Sequence, residues 1–145
     1  MVPQRLLIEI TETTAIGDLQ DAGRFIEALH HTGCITCLDD FGTGFSSFAY
    51  LKYLKVDALK IDGLFIRDLA NDPDNQLFVK SIADVARGMG KRTIAEFVEN
   101  VDTFDLLSKF GVDLVQGYFL DRPVETHPAL HGECEHPLDL GNRVA

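Results

Sequence analysis

The chain has 145 residues, and 23 Asp plus Glu against 13 Lys plus Arg give it a formal net charge of −10. With 46% hydrophobic and 25% charged residues it has the composition of one folded domain rather than a disordered chain, and no stretch reaches the ~18 apolar residues of a membrane span. An acidic surface repels phosphate backbones, so neither DNA nor RNA nor direct membrane insertion is expected, and a phosphate ligand would need cations to approach it.

The opening segment is interrupted by Arg5 and Glu9, so it does not read as a signal peptide, and a cytoplasmic location is expected. Leu6 to Ile10 is an apolar run of strand length. Asp18 to Thr32 carries Leu19, Ala22, Phe25, Ile26 and Leu29 at helical spacing, with Gly33 placed to stop the helix. Cys34 to Leu38 predicts the second strand. A Gly-rich stretch from Asp40 to Ser47 leads into a short helix bearing Phe48, Leu51 and Leu54, and Ala58 to Ile61 predicts the third strand. Asn75 to Met89 has the clearest helical stripe (Phe78, Ile82, Val85, Ala86 and Met89), with Asp74 or Asn75 as cap and Gly90 as stop. Arg92 to Ala95 follows as the fourth strand. Asn100 caps a helix through Phe110, Gly111 ends it, and Leu114 to Val115 opens the fifth strand. After Pro123 the pattern gives way to a polar tail, residues 124–145.

Strands alternating with amphipathic helices predict an α/β fold with a parallel sheet and helical crossovers. The strands are rich in β-branched residues with little alternation, as expected when both faces are buried. A doubly wound open sheet and a (β/α) barrel both fit this pattern. Cys34 and Cys37 have CxxC spacing but fall in a predicted strand, where residues three apart face opposite ways; they read as small core residues, and the odd count including Cys134 argues against a disulfide scaffold.

Polar residues recur at the C-terminal end of every predicted strand: Glu9, Asp39 with Asp40, Lys60, Glu96 and Gln116. Taken singly, each has an ordinary reading: an edge glutamate, a turn, a snorkelling lysine. Five strands carrying one at the corresponding end point instead to a (β/α) barrel, whose strand ends converge on one rim. Four carboxylates brought together there need cations, and an oxygen donor set without Cys or His suits Mg²⁺, Mn²⁺ or Ca²⁺ better than a structural zinc. The adjacent acids Asp39 and Asp40 can each face a different ion, as two-metal phosphoryl hydrolysis requires. Asp57 and Asp62 flank the third strand and are read as structural hydrogen-bonding residues without a metal role.

Glu9-Ile-Thr-Glu12, the stretch Leu38-Asp-Asp-Phe-Gly-Thr-Gly-Phe-Ser-Ser47, Leu51 to Asp62, Ala95-Glu-Phe-Val-Glu99 and Gln116-Gly-Tyr resemble, in order and spacing, the motifs of the EAL domain. That family comprises bacterial phosphodiesterases that cleave cyclic di-GMP to linear pGpG. The resemblance implies a two-metal Mg²⁺ or Mn²⁺ site. In it Glu9 ligates the first metal, Asp39 bridges both, and Asp40 and Glu96 hold the second. Lys60 contacts the water between the metals and assists its deprotonation, and Gln116 helps position that water. Glu12 is similar to the glutamate anchoring the loop after the acidic pair. Phe41, Gly42, Thr43, Gly44, Phe45, Ser46 and Ser47 resemble that loop, which shapes the second-metal site and in the family couples to dimerisation.

The family's Glu-Ala-Leu segment and a metal-binding asparagine have no counterpart here, since only five residues precede Leu6. The family barrel has eight strands and on the order of 250 residues, so residues 6–123 resemble the C-terminal part of the domain, a partial (β/α)8 barrel of about five strands lacking its N-terminal strands. From this follow an incomplete first-metal site, hydrolysis impaired by orders of magnitude, and open sheet edges. Those edges are expected to drive homo-oligomerisation or docking to a missing N-terminal segment. The alternatives are a regulatory module that binds cyclic di-GMP without cleaving it, and a fragment without independent activity. Smaller departures are Lys55, where proline is usual, and Phe97, a common glycine position that borders the site. His127, His131, Cys134 and His136 in the tail are read as a solvated terminus.

Overall fold

In the computed structural model, which describes residues 6–43 and 48–122, five short strands follow one another across a single parallel sheet in the order β1-β2-β3-β4-β5. They are β1 (Leu7–Thr11), β2 (Ile35–Phe41), β3 (Ala58–Ile61), β4 (Arg92–Ala95) and β5 (Leu114–Val115), and the helices are α1 (Glu12–Gly17), α2 (Leu19–His31), α3 (Pro73–Gly88) and α4 (Val101–Phe110). Every strand pairs with the next in sequence. A doubly wound sheet reverses its order at a switch point, so sequential order excludes that architecture. Right-handed crossovers then place all the helices on one face, the arrangement of a barrel wall.

The helices begin where side chains satisfy their free N–H groups. Asp18 accepts from the Asp21 N–H at 2.9 Å, Asp72 from those of Asp74 and Asn75 at 3.0 Å, and Asn100 from that of Thr103 at 2.8 Å. The cap of α3 is therefore Asp72, one residue before Pro73, rather than Asp74 or Asn75. Between the first predicted strand and the helix from Asp18, where the sequence pattern names no element, lies α1, a helix of about one and a half turns with Thr11 as its cap.

Ile10, Leu38, Leu59, Ile61 and Ala95 turn outward from the strands and pack with Ile26, Ile82, Ala86 and Leu107 of the helices in the main core. The concave face is smaller and mixed. Cys37, Ala58 and Ile94 form its apolar floor against Leu114. Cys37 is fully buried there, and that burial pushes its thiol up to about 12, which leaves it inert. Cys34 precedes the strand and is only half-buried, so it is not the core residue the spacing predicted; both thiols are free. Two further expectations fail. The edge strand β1 exposes alternate residues, and Phe25 in the predicted stripe of α2 is 52% exposed.

One device occurs twice. The Thr36 N–H and hydroxyl both donate to Asp57 Oδ2, at 2.7 and 3.0 Å, tying β2 to the start of β3. The Thr93 N–H and hydroxyl both donate to Asp113 Oδ2, at 2.8 and 3.1 Å, tying β4 to the start of β5. Counted three residues on from each member, the pairs lead to Asp39 and Lys60 in one unit and to Glu96 and Gln116 in the other. The two threonine–aspartate staples thus set the heights at which four polar residues leave their strands.

Burial alone would push the Asp57 carboxyl up, but the Thr36 hydrogen bonds and His30 outweigh it and hold it below the usual range. A carboxylate with a depressed folded value contributes stability that is present above its unfolded value, about 3.9, and lost as pH falls through the folded one. Asp57→Ala removes the acceptor of the Thr36 N–H and, since the carboxylate is 45% exposed and screened by solvent, is expected to cost about 1 kcal/mol at pH 7. The cost shrinks in thermal unfolding at pH 3, and Asp113→Ala gives a penalty of similar size at pH 7.

Candidate active site

Lys60 projects from β3 into the concave face and is almost fully buried, its side chain 8% exposed. Its Nζ lies 2.8 Å from Glu9 Oε1, 3.8 Å from Asp39 Oδ1 and 3.7 Å from Glu96 Oε2. Carboxylates from β1, β2 and the end of β4 thus converge on one ammonium, as the strand-end pattern predicts. Burial works to discharge the amine, but the Glu9 hydrogen bond and the charges of Asp39, Glu9 and Glu96 outweigh it and raise its value.

Consecutive strand residues face opposite ways, so Asp39 and Asp40 should not share a mouth. A bulge resolves this. Leu38 pairs with Leu59 and Phe41 with Ile61, so Asp39 and Asp40 together stand opposite Lys60. Asp40 takes φ 57°, a left-handed conformation that Asp tolerates better than most residues, and Phe41 fills the outward slot in the core. Both carboxylates are thereby turned to the rim.

There Asp40, Asp62 and Glu96 offer oxygens that all lie within 4.8 Å of one another. Burial raises the Asp40 carboxyl, and Asp39 and Asp62 raise it further. Glu96 is raised by burial against the opposing pull of Lys60 and the Gly63 N–H. Carboxylates pushed up by burial and then by one another are short of positive charge, and an all-oxygen set of this kind fits a hard divalent cation. Asp62 has two sets of neighbours. It does accept a structural hydrogen bond from the Leu64 N–H at 2.7 Å, yet it also belongs to the acidic trio. Its spacing from Lys60 held the signal, since residues two apart on a strand share a face.

Glu12 is 1% exposed at the start of α1. It accepts from the Gly42 N–H at 3.1 Å and from the Tyr50 hydroxyl, so it fastens the chain just after the acidic pair. Of the proposed loop, Phe41, Gly42 and Thr43 are described, Phe41 as the last residue of β2; Gly44, Phe45, Ser46 and Ser47 lie outside the described residues, as do residues 124–145 with His127, His131, Cys134 and His136. Gln116 is exposed just past β5, where its N–H donates to Ala95 O at 2.8 Å and its carbonyl accepts from Val98 N at 3.1 Å. It lines a hollow of about 450 Å³ with Glu96, Phe97, Glu99 and Tyr118. Phe97 holds φ 58°, a conformation costing a non-glycine residue about 1–3 kcal/mol.

A model of the EAL domain matches residues 1–123. The chain is 46% identical over 120 residues to the cyclic di-GMP phosphodiesterase PdeB of Shewanella oneidensis, covering 83% of this chain and 14% of that protein. It is 40% identical to the probable cyclic di-GMP phosphodiesterase PdeA of Escherichia coli, covering 83% and 17%. Among solved structures, a complex of the MucR phosphodiesterase with c-di-GMP superposes with a TM-score of 0.81 at 38% identity, over 86% of this chain and 50% of that one. A manganese and cyclic di-GMP complex of Klebsiella pneumoniae BlrP1 gives 0.79 at 31% identity, over 85% and 31%. The chain thus spans no more than half of these proteins' lengths. Its five parallel strands, its rim of acids and the 123 matched residues agree: the chain belongs to the EAL domain family.

Proposed function

We propose that residues 6–123 are the C-terminal part of a metal-dependent phosphodiesterase that hydrolyses cyclic di-GMP to linear pGpG. The observation that supports it most is the meeting of Glu9, Asp39 and Glu96 around Lys60, with Asp40 and Asp62 joining Glu96 at the same mouth. Asp39, Asp40, Asp62 and Glu96 would hold one Mg²⁺ or Mn²⁺, and Glu9 with Asp39 would contribute to a second, incomplete site. Such ions polarise a phosphodiester and make water more acidic. Lys60 lies where it can hold a water by donation and stabilise its loss of a proton, and Gln116, which lines one hollow with Glu96, would help position that water.

The experiment incubates the purified chain with cyclic di-GMP and Mn²⁺ and follows pGpG by chromatography, with parallel calorimetric binding in Ca²⁺. Expected are binding that EDTA abolishes and turnover several orders of magnitude below a complete domain, both lost in Asp40→Asn. Binding without turnover at any enzyme concentration would favour the regulatory-module reading. Binding indifferent to EDTA and to Asp40→Asn would overturn both.

The same reading concerns the sheet edges. Among the described residues β1 and β5 each have one strand neighbour, and beneath the site lies a hollow of about 580 Å³ with Leu7, Ile35, Ala58, Ile94 and Leu114 on its floor and charged residues such as Lys55, Lys91 and Arg92 also in its lining. Open edges of this kind recruit further strands. A second copy or a segment supplying further barrel strands would cover this face, and sedimentation of the same sample should show association that strengthens with concentration. A monomer at every concentration with cooperative unfolding would contradict it. Among the described residues no helix is long and apolar enough to cross a membrane.

A further inference from the structure

The first residues of all five strands, from Leu7 of β1 to Leu114 of β5, border the hollow of about 580 Å³, so it opens at the strand ends opposite the acidic mouth. Lys52, Lys55, Lys91 and Arg92 line it, with Asp57 as the acid among them. Asp57 is already engaged by the Thr36 N–H and hydroxyl and by His30. Lys91 Nζ donates to Leu54 O at 3.1 Å and to Val56 O at 2.9 Å, acceptors that hold the ammonium without cancelling its charge. Lys55 reaches Glu27 at 3.5 Å, but both side chains are more than half exposed and such a pair is worth little. Among the described residues no carboxylate comes within 4 Å of Lys52 or Arg92. In a chain of net charge −10, this end keeps a surplus of positive charge.

The helices repeat the polarity. In α2, α3 and α4 an aspartate stands in the first turn (Asp21, Asp74 and Asp102), and a basic residue in the last (His30 with His31, Arg87 and Lys109). Each arrangement suits its own helix dipole. Crossovers in a parallel sheet start every helix beside the strand C-terminal ends and return it to the N-terminal ends. The local choices therefore add into one axial separation of charge, with acids around the mouth and bases around the far end.

We propose that this basic end docks the acidic mouth of a second copy of the chain, giving head-to-tail association. Charge complementarity names the occupant: Glu9, Asp39, Asp40, Asp62, Glu96 and Glu99 gather at the mouth around or beside a single buried lysine. Two copies of like net charge repel at long range. Screening confines that repulsion to about 8 Å at physiological ionic strength, so the groups in contact decide. Each copy uses a different face, so the contact is heterologous, and growth continues past a pair unless a ring closes. Association through strand edges is a different contact, held by backbone hydrogen bonds and apolar burial that salt screens little.

The test is sedimentation velocity of the metal-free 145-residue chain across concentration, in about 0.1 M and about 1 M salt, between which the screening length falls from about 10 to about 3 Å. In low salt the mass should grow with concentration beyond a pair, and in high salt association should weaken at least about tenfold. Lys52→Glu with Lys55→Glu, both exposed positions, should fold as the parent does and lose the salt-sensitive association. Arg24→Glu with Lys80→Glu gives the same net charge at exposed positions along α2 and α3, and should associate as the parent does. The Lys52 and Lys55 variant keeps its mouth, so in excess it should cap the parent's basic end and hold the parent at pairs. A parent that is monomeric at every concentration, or that associates equally in both salts, would overturn the proposal. So would equal loss in the Arg24 and Lys80 variant, which assigns the effect to net charge, or failure of the Lys52 and Lys55 variant to cap. Neither metal nor cyclic di-GMP is present, so the hydrolase reading is tested separately, and association indifferent to salt would leave the open-edge argument standing while removing this one.

Discussion

Lys60→Met is expected to destabilise the metal-free chain by about 3–5 kcal/mol, the cost of leaving buried charge uncompensated. The ammonium is the cation within 4 Å of Glu9, Asp39 and Glu96, and methionine keeps most of its volume while removing the charge. A loss of packing alone would be smaller, since a straight apolar side chain refills the space. Titration with Mn²⁺ separates the two causes. If charge is what matters, a divalent ion restores part of what the lysine supplied, so Mn²⁺ raises the variant's unfolding temperature more than the parent's. The variant should also bind Mn²⁺ more tightly, because the parent's ammonium repels the incoming ion across the same carboxylates. Affinity and activity would then move in opposite directions, with any hydrolysis lost while the metal is held better. Equal Mn²⁺ stabilisation of parent and variant would show that Lys60 acts through packing.

Much of this mouth was readable in the chain because strand geometry is regular. Glu9, Lys60 and Glu96 lie near strand ends, and a parallel sheet in sequential order brings such ends together whatever lies between. Asp39 and Asp40 are different. Alternation says that one of them faces the helices, and only the bulge, with Phe41 claiming the slot opposite Ile61, turns both to the rim. Asp62 makes the structural hydrogen bond expected of it, but its place beside Asp40 and Glu96 was not legible. Its hydrogen bond to the Leu64 N–H is an ordinary turn interaction, and it hides the i, i+2 relation to Lys60. The paired Thr36–Asp57 and Thr93–Asp113 staples join residues 21 and 20 positions apart. Such pairings are a property of topology that local periodicity does not contain. At Phe97 the sequence offered a signal, a phenylalanine at a common glycine position, but the left-handed backbone at φ 58° that explains the glycine is seen only in the structure.

Glu12→Ala is expected to cost about 3–5 kcal/mol and to loosen the site without touching any acid at its rim. Glu12 is a carboxylate 1% exposed, held by donors from two directions: the Gly42 N–H, two residues past Asp40, and the Tyr50 hydroxyl from the 3₁₀ turn over Phe48–Lys52. Its place in the first turn of α1 adds the favourable end of the helix dipole. Alanine removes the shared acceptor of two buried donors and leaves a cavity, whereas Tyr50→Phe removes one donor and is expected to cost about 1 kcal/mol. Glu12→Gln falls between them, since the amide oxygen can accept from Gly42 while its NH₂ donates to the tyrosine oxygen, and at these two contacts the charge assistance is lost. The consequence for the site follows from Asp40. Its left-handed backbone is a strained choice, kept while Phe41 is packed outward and Gly42 is tied down on the far side. With the tie cut, Asp40 relaxes toward ordinary strand geometry, which points its carboxylate away from Asp62 and Glu96. Amide exchange at Gly42 should therefore accelerate in Glu12→Ala, and Mn²⁺ affinity of the folded variant should fall at least tenfold, a loss of the size seen when residues supporting metal ligands are removed. Slow exchange at Gly42 with unchanged Mn²⁺ affinity would show that the bulge, and not the buried glutamate, keeps Asp40 aimed at the rim.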